Sequence, residues 1–444
     1  MTPQLLFDPH QRFACRDCPA RCCKNWSITA SATEMENLLR LDWVRERLAT
    51  FGAEPKPLPS SHGTTYRLPM RARGRELVCV FLDDDDLCSV HRREGHEKLP
   101  AICQSFPFSF VQEKTGVVHA SLSTYCPSIR DNYGEPLASQ IETKFSQASP
   151  FTIRLPDTLA LGPHQVPQET FLRLGDFWLD ILGAETPLAY ALGAIRDHLT
   201  ILQDSLGPSP SATTQPVSWA DAGWEETTKL MPDLLHQQAQ RLGHYQPETF
   251  PFPTRAMLGS LLIALCDPTF RAIVQPRPYR FLPSIVRNIL GLATGRLPLR
   301  MEGIDRPVRF HQAAWQVEGP QPEHESLIRA ALTGGLRSRL HFARADSLPE
   351  VVLLLAAGLA IIHLYARLRA SALERRAVNE ADVREAVAIA DKVCLRHGNL
   401  LRVLPASRAL WGMLANLPNA HERFLAACLP DSRAKDGTVV SRKN

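Results

Sequence analysis

Eight of the eleven cysteines in this 444-residue chain fall between Cys15 and Cys126. They are written Cys15-x2-Cys18-x3-Cys22-Cys23, then Cys79, Cys88, Cys103 and Cys126. Sulfur this dense constrains the fold more than any other feature. Thiols from separate segments must be bridged, share an inorganic centre, or relay electrons. The N-terminus, Met1 to His10, carries neither the basic stretch nor the apolar run of an export signal. The expected location is the cytoplasm, where thiols stay reduced and disulfides are rare. There, such a cluster reads as metal-binding or catalytic.

Cys-x2-Cys is a common zinc knuckle, and thiolates also hold iron–sulfur clusters. Four thiolates complete one site, so eight could serve two sites, or one site with supporting thiols. Cys22 and Cys23 are neighbours, expected to point apart and not to share an ion. His91, three residues after Cys88, reads as a polar neighbour rather than a ligand. Radical S-adenosylmethionine enzymes carry Cys-x3-Cys-x2-Cys. Here the order is x2 then x3, which sets that class aside. Cys266, Cys394 and Cys428 lie in apolar helical stripes and read as core.

Local signals then divide the chain. Ser31-Ala-Thr-Glu34 is a capping box. Leu38, Leu41, Val44, Leu48 and Phe51 follow at helical spacing, predicting one helix closed by Gly52. Leu77–Leu82 and Leu87–His91 flank Asp83–Asp86, predicting a β-hairpin with an acidic loop. Pairing Leu82 with Leu87 would set Phe81 opposite Cys88. Cys79 and Cys88 would then be diagonal neighbours within about 7–8 Å. The four aspartates read as a solvated turn. The sharper reading is an anionic patch for a lysine-bearing substrate or a sulfonium cofactor. Residues 96–103 predict a short helix or turn, and 117–126 a further strand.

Beyond residue 137 the pattern is helical. Helices are expected over 169–182, 188–206, 219–243, 254–266, 282–293, 323–334, 350–372 and 380–397, the last from an Asn379 N-cap to Gly398. Residues 207–216 read as a linker. The longest apolar run, Val351–Ile362, is shorter than the roughly 20 residues a membrane span needs. With 50 basic and 46 acidic residues the chain is too balanced to argue for nucleic acid. The expected fold is mainly α: a cysteine-rich α+β metal domain with a β-hairpin over 1–136, an irregular helical bundle over 137–430, and a disordered tail over 431–444.

Four separated blocks, together covering about residues 11–130, resemble the flagellin lysine-N-methylase family, within a wider group bearing a zinc- or iron-chelating cysteine domain. They are Phe13-x-Cys15-x2-Cys18-x3-Cys22-Cys23-x2-Trp26-x-Ile28, Cys79-Val-Phe-Leu-Asp-x3-Leu-Cys88, Cys103-x2-Phe-Pro, and Ser121-Leu-Ser-x2-Cys126-Pro127. The resemblance implies methyl transfer from S-adenosylmethionine to lysine ε-amines of flagellin or another protein. It implies an iron–sulfur cluster, [4Fe–4S] in kind, with zinc as the alternative. The ligands carried over are Cys15, Cys18, Cys22, Cys23, Cys79, Cys88, Cys103 and Cys126. Where family members have acidic residues near the last block, this chain has His119 and Ser128. Tyr66, Asp83 and Tyr125 have the chemistry to accept a proton from the amine. No glycine-rich strand–helix fingerprint marks a cofactor site. The competing expectation is a non-catalytic metal or iron–sulfur protein: a carrier, an electron-transfer partner or a structural zinc module.

Overall fold

A computed structural model describes residues 3–15, 20–24, 28–60, 63–74, 76–148, 152–207, 223–243, 298–301, 304–309, 317–395 and 425. Outside the described residues lie Cys18, Cys266, Cys428, Trp26, most of the 207–216 linker, the helices expected near 254–266 and 282–293, Gly398, and the 431–444 tail. The chain divides into two compact units, Met1–Arg154 and Leu155–Asn444.

The first unit is built of short pieces. Its strands are β1 (Leu5–Leu6), β2 (Arg12–Phe13), β3 (Thr29–Ser31), β4 (Lys56–Ser60), β5 (Gly63–Arg67), β6 (Met70–Arg73), β7 (Glu76–Cys79), β8 (Phe108–Gln112), β9 (Val118–Leu122), β10 (Glu135–Pro136) and β11 (Ile153–Arg154). The helices between them are α1 (Ala32–Leu39), α2 (Asp42–Thr50), α3 (Ser89–Glu94), α4 (Ala101–Ser105), α5 (Pro127–Arg130) and α6 (Ile141–Ala148). Four strands form a sheet in the order β1-β9-β8-β11, three form β3-β5-β4, and β6-β7 and β10-β2 are two-stranded.

The Ser31 capping box forms as read: Glu34 N–H donates to the Ser31 hydroxyl, and Ser31 N–H to the Glu34 carboxylate. The helix after it breaks, however. Leu41 is extended and Asp42 restarts α2, so one expected helix is two. An acidic side chain in a first turn suits the positive end of a helix.

The hairpin around the cysteines also differs. Cys79 ends β7, whose partner is β6, with Met70 opposite Cys79 and Arg73 opposite Glu76. Leu82 and Cys88 make a single isolated bridge, one residue out of the expected register. Residues Ser89–Glu94 are helical, not a strand. The cause is local. Val90 and His91 amides turn back onto Cys88, while Gly74 takes a left-handed φ of 60° that closes the β6–β7 turn.

The second unit is mainly helical. After the hairpin β12 (Thr158–Leu161) and β13 (His164–Pro167) come α7 (Gln168–Gly183), α8 (Leu188–Ser205), α9 (Trp224–Thr228) and α10 (Met231–Gly243). The pair β14 (Pro298–Met301) and β15 (Ile304–Arg309) precedes α11 (Glu325–Arg337), α12 (Leu340–Arg344), α13 (Leu348–Ala372) and α14 (Glu380–Ala390). The two hairpins were not anticipated, because strands of four to six residues leave too short an alternation to read.

Helix α13 starts where the Ser347 hydroxyl accepts Glu350 N–H, with Pro349 in the first turn. It runs 25 residues, longer than the apolar core of the sequence suggested, and is long and apolar enough to cross a membrane by length and composition. In this structure its apolar window is wholly buried against α8, α11 and α14. A helix apolar on every face is the mark of a buried centre. Asn379 caps α14 as expected, and its box partner Asp382 also accepts from Arg375 and forms an ion pair with Arg369. The whole is mainly α, with a small α+β N-terminal unit.

Candidate metal centre

Four separate segments bring five thiols together in the first unit. Cys22 and Cys23 sit in a 3-10 turn, Arg21–Cys23, entered through Ala20 in the left-handed region. Their sulfurs lie 3.9 Å apart, closer than the divergent side chains expected of neighbours. An antiparallel bridge between Lys24 and Val78 sets this turn beside Cys79 at the end of β7. Cys88 stands immediately before α3. Cys103 lies in α4, whose first amide, Ala101 N–H, donates to Glu34 at 2.7 Å. The capping-box glutamate thus also ties down the Cys103 segment. Cys23 and Cys79 are buried in one apolar cluster with Val78, Val80 and Phe81, and Cys88, Cys103 and Tyr66 pack against it.

The thiols perturb one another. Cys23 keeps its proton: hydrogen bonds with Cys22 and Cys88 raise its pKa well above the ordinary thiol value, and burial adds to this. The same bonds favour charge on the partners. Cys22 is lowered by its bond with Cys23. Cys88 is lowered to about 7, chiefly by Cys23, with the His91 and Val90 amides helping against burial. Burial pushes Cys79 up to about 12, despite the Phe81 amide and the Arg47 guanidinium. Burial also raises Cys103, with Cys79, Cys22 and Cys88 adding to the effect.

As placed, no three His, Cys, Asp or Glu side chains among the described residues form a group that could hold an ion. The donor set nonetheless fits a soft or borderline cation. It consists of thiols alone, Cys23 sharing protons with Cys22 and Cys88, and metal binding displaces thiol protons.

The other expected ligands are placed differently. Cys126 is buried in a second cluster of the same unit with Phe13, Phe108 and Ile129. Cys15 is exposed, near Lys144. His91 is exposed, its ring edge-on to His96 at 5.6 Å. Cys394 is buried, its thiol donating to Ala390 O, as a core cysteine should be. All eight cysteines among the described residues are free of disulfides.

The acidic loop is neither simply solvated nor an open anionic patch. Asp83 pairs with Arg47 at 2.7 Å and Arg92 at 3.5 Å, and accepts from the Ser89 hydroxyl. Asp84 pairs with Arg71, Asp85 with Arg92, and Asp86 with both Arg73 and Lys24. Burial alone would raise the Asp86 carboxyl; the hydrogen bonds from Arg73 and Lys24 outweigh it and hold it below the usual range. These cations escaped sequence reasoning. The available signal was arithmetic: a run of four aspartates needs partners, and Arg71, Arg73 and Arg92 lie close by in sequence.

Tyr66 lies in β5, half-buried, opposite Ala30 and Pro57. Tyr125 is fully buried, with the Arg21 guanidinium 5.3 Å from its ring centre. His119 is buried, 2.6 Å from Glu113, so a carboxylate stands beside it after all. Ser128 donates to Ala14 O.

Comparison with known proteins agrees with the resemblance in the cysteine blocks. Residues 14–127 match the CxxCxxCC family, described as a "Putative zinc- or iron-chelating domain". The chain is 31% identical over 159 residues to a lysine-N-methylase of Salmonella typhimurium, covering 36% of this chain and 33% of that protein. It is 33% identical over 113 residues to the flagellar biosynthetic protein FliU of Salmonella muenchen, covering 25% of this chain and 64% of the relative. The chain thus spans about a third of the length of the lysine-N-methylases it matches. No solved structure matches. The five-thiol cluster accordingly sits within a segment, residues 14–127, that carries the CxxCxxCC zinc- or iron-chelating pattern.

Proposed function

We propose that the cysteine unit holds a metal ion or iron–sulfur cluster, and that the chain is a protein lysine N-methyltransferase of the flagellin lysine-N-methylase kind. The observation that carries this is the gathering of Cys22, Cys23, Cys79, Cys88 and Cys103 inside a segment matched to a zinc- or iron-chelating family. The similarity to lysine-N-methylases supplies the reaction class. When bound, the metal centre would supply a Lewis-acidic position able to grip the amino and carboxylate groups of S-adenosylmethionine. The chain's own thiols anchor it, in a reducing cytoplasmic setting, and the Arg47 guanidinium offsets thiolate charge at Cys79.

The acceptor lysine has a reference pKa near 10.4 and must shed its proton first. Its lone pair then forms the N–C bond as the S–C bond of the sulfonium breaks, and S-adenosylhomocysteine leaves. Of the three proton-handling candidates, Asp83 is held by Arg47 and Arg92 and Tyr125 is fully buried. Tyr66 packs against the cysteine cluster, and we place the proton-accepting role on its phenolate oxygen. The protein substrate is flagellin or another lysine-bearing protein.

Anaerobic purification with metal and sulfide analysis, then incubation with methyl-labelled S-adenosylmethionine and flagellin, tests both halves. Label on substrate lysines, lost in Tyr66→Phe, supports the reading. Protein that stays metal-free after reconstitution with iron and sulfide overturns it. Metal-loaded but inactive protein favours the second reading, a non-catalytic metal carrier, electron-transfer partner or zinc module. The engagement of Asp83 and the burial of Tyr125 speak for that reading.

A further inference from the structure

Lys24 is the residue after Cys23, and its side chain is only 9% exposed. A lysine is seldom buried without partners. Here its ammonium reaches Asp86 at 3.0 Å and Glu76 at 3.4 Å. Asp86 in turn is bound by Arg73. Each contact lands on a different cysteine segment. Lys24 belongs to the Cys22–Cys23 turn, Glu76 opens the strand that ends in Cys79, and Asp86 lies two residues before Cys88. The backbone bridge from Lys24 to Val78 adds one more tie between the same segments. The turn that carries Cys22 and Cys23 is three residues of 3-10 helix with no side-chain cap.

From these contacts we infer that Lys24 is a positioning residue: through Asp86 and Glu76 it locks the Cys22–Cys23 turn against the Cys79 and Cys88 segments, so that four thiols are at hand before a metal arrives. The inference rests on the metal-binding reading above. It accounts for a feature that reading leaves unexplained, a buried ammonium next to Cys23 that pairs with two carboxylates. Among the described residues the Lys24 ammonium pairs with the Asp86 and Glu76 carboxylates, and its effect passes through them. Without it, the turn would have to be ordered at the moment of capture, and affinity would fall by the cost of that ordering. Residues supporting metal ligands typically change affinity roughly 10–100-fold when removed.

Cobalt(II) is the probe, because its thiolate charge-transfer band reports sulfur ligation directly. Anaerobic titration of the full chain should give that band in the wild type. Lys24→Met should weaken Co2+ affinity by roughly tenfold or more, with the far-ultraviolet circular dichroism of the metal-free protein unchanged. Lys24→Arg, which keeps the charge, should recover most of the affinity. Asp86→Asn should weaken binding likewise; asparagine suits the left-handed backbone at this position, φ 63°. If the two residues act as one latch, the double variant should be no worse than the weaker single variant.

Wild-type affinity in Lys24→Met overturns the latch, as does full additivity in the double variant. Should Lys24→Met fail to fold, Asp86→Asn, where Arg73 remains, decides the matter alone. Absence of the band in the wild type overturns the metal reading instead, so the two failures are distinguishable.

Discussion

The two units hold themselves together by different means. The second is organised on α13, 25 residues long and buried on every face. Most of its order comes from apolar surface removed from water, at about 25 cal/mol per Å². The first has no such element. Its longest helix is α2, at nine residues, and its cysteine segments are joined by ion pairs, single bridges and shared protons. Short, polar-tied pieces can be drawn in by a ligand; a helix packed all round cannot be displaced without unfolding. A binding centre therefore belongs in the first unit and a scaffold in the second.

The hardest blow to that contrast is a charge in α13. Leu355 is 0% exposed. Leu355→Asp should destabilise the second unit by roughly 4 kcal/mol or more, since it takes a carboxylate out of water. Hydrogen exchange read by segment checks it: protection should collapse in α8, α13 and α14 while residues 20–148 keep theirs. Equal loss in both units would mean that they do not stand apart energetically. The converse experiment is metal loading. At a thousandfold excess of zinc or ferrous ion over the dissociation constant, binding should add about 4 kcal/mol to the cysteine unit. A chelator should remove that gain and leave α13 untouched. Protection around Cys79 and Cys88 that ignores both metal and chelator would break the comparison.

How much of this was legible beforehand follows the range of each interaction. The caps at Ser31 and Asn379 were readable because cap and partner lie three residues apart. The β7 strand was readable, but its partner was not. Residues 87–91, across the aspartate run, were read as the partner, whereas residues 70–73 pair with β7 across the turn at Gly74. The cysteines announced a centre, yet nothing in their spacing foretold that Cys126 would pack among phenylalanines while Cys22 and Cys23 converge. Lys24 was invisible, because its partners Glu76 and Asp86 are more than fifty positions away.

Acid separates the units next. Burial lowers His198 to about 4, and lowers His363 to about 3 with Arg367 adding to the effect. Both are neutral in the fold, while the unfolded chain takes up protons below its reference value of 6.5. Stability is thus complete above pH 6.5 and drains as pH falls toward the folded values. His198 alone accounts for about 3 kcal/mol between pH 6.5 and 4. In the first unit, burial near Lys144 and His91 lowers half-buried His96 in the same direction. Asp86 works in the opposite window: its lowered carboxyl stabilises above the ordinary value of 3.8 and fails only as pH drops through the folded value. A titration from pH 7 to 4 should therefore loosen α8 and α13 before the Lys24–Asp86 region. Loosening in the reverse order would contradict these assignments.

The smallest effect tests whether burial, rather than charge as such, is what makes the ion pairs of the first unit count. Glu36 and Arg40 pair at 2.9 Å across one turn near the end of α1, with side chains 66% and 70% exposed. Water and salt screen such a pair, and holding two long side chains in place costs entropy. Glu36→Gln should therefore shift stability by no more than about 0.5 kcal/mol, and less at high salt. Lys24–Asp86 has nearly the same length, 3.0 Å, but a ligand-side lysine cut off from solvent. Breaking a pair of that kind typically costs about 3–5 kcal/mol, because the surviving charge stays buried. Here Arg73 remains for Asp86, so Lys24→Met should fall below that range yet well above Glu36→Gln. Urea unfolding of the two variants side by side measures the ratio. Equal costs would mean that the cysteine segments are held by packing alone and that the charges around them are incidental.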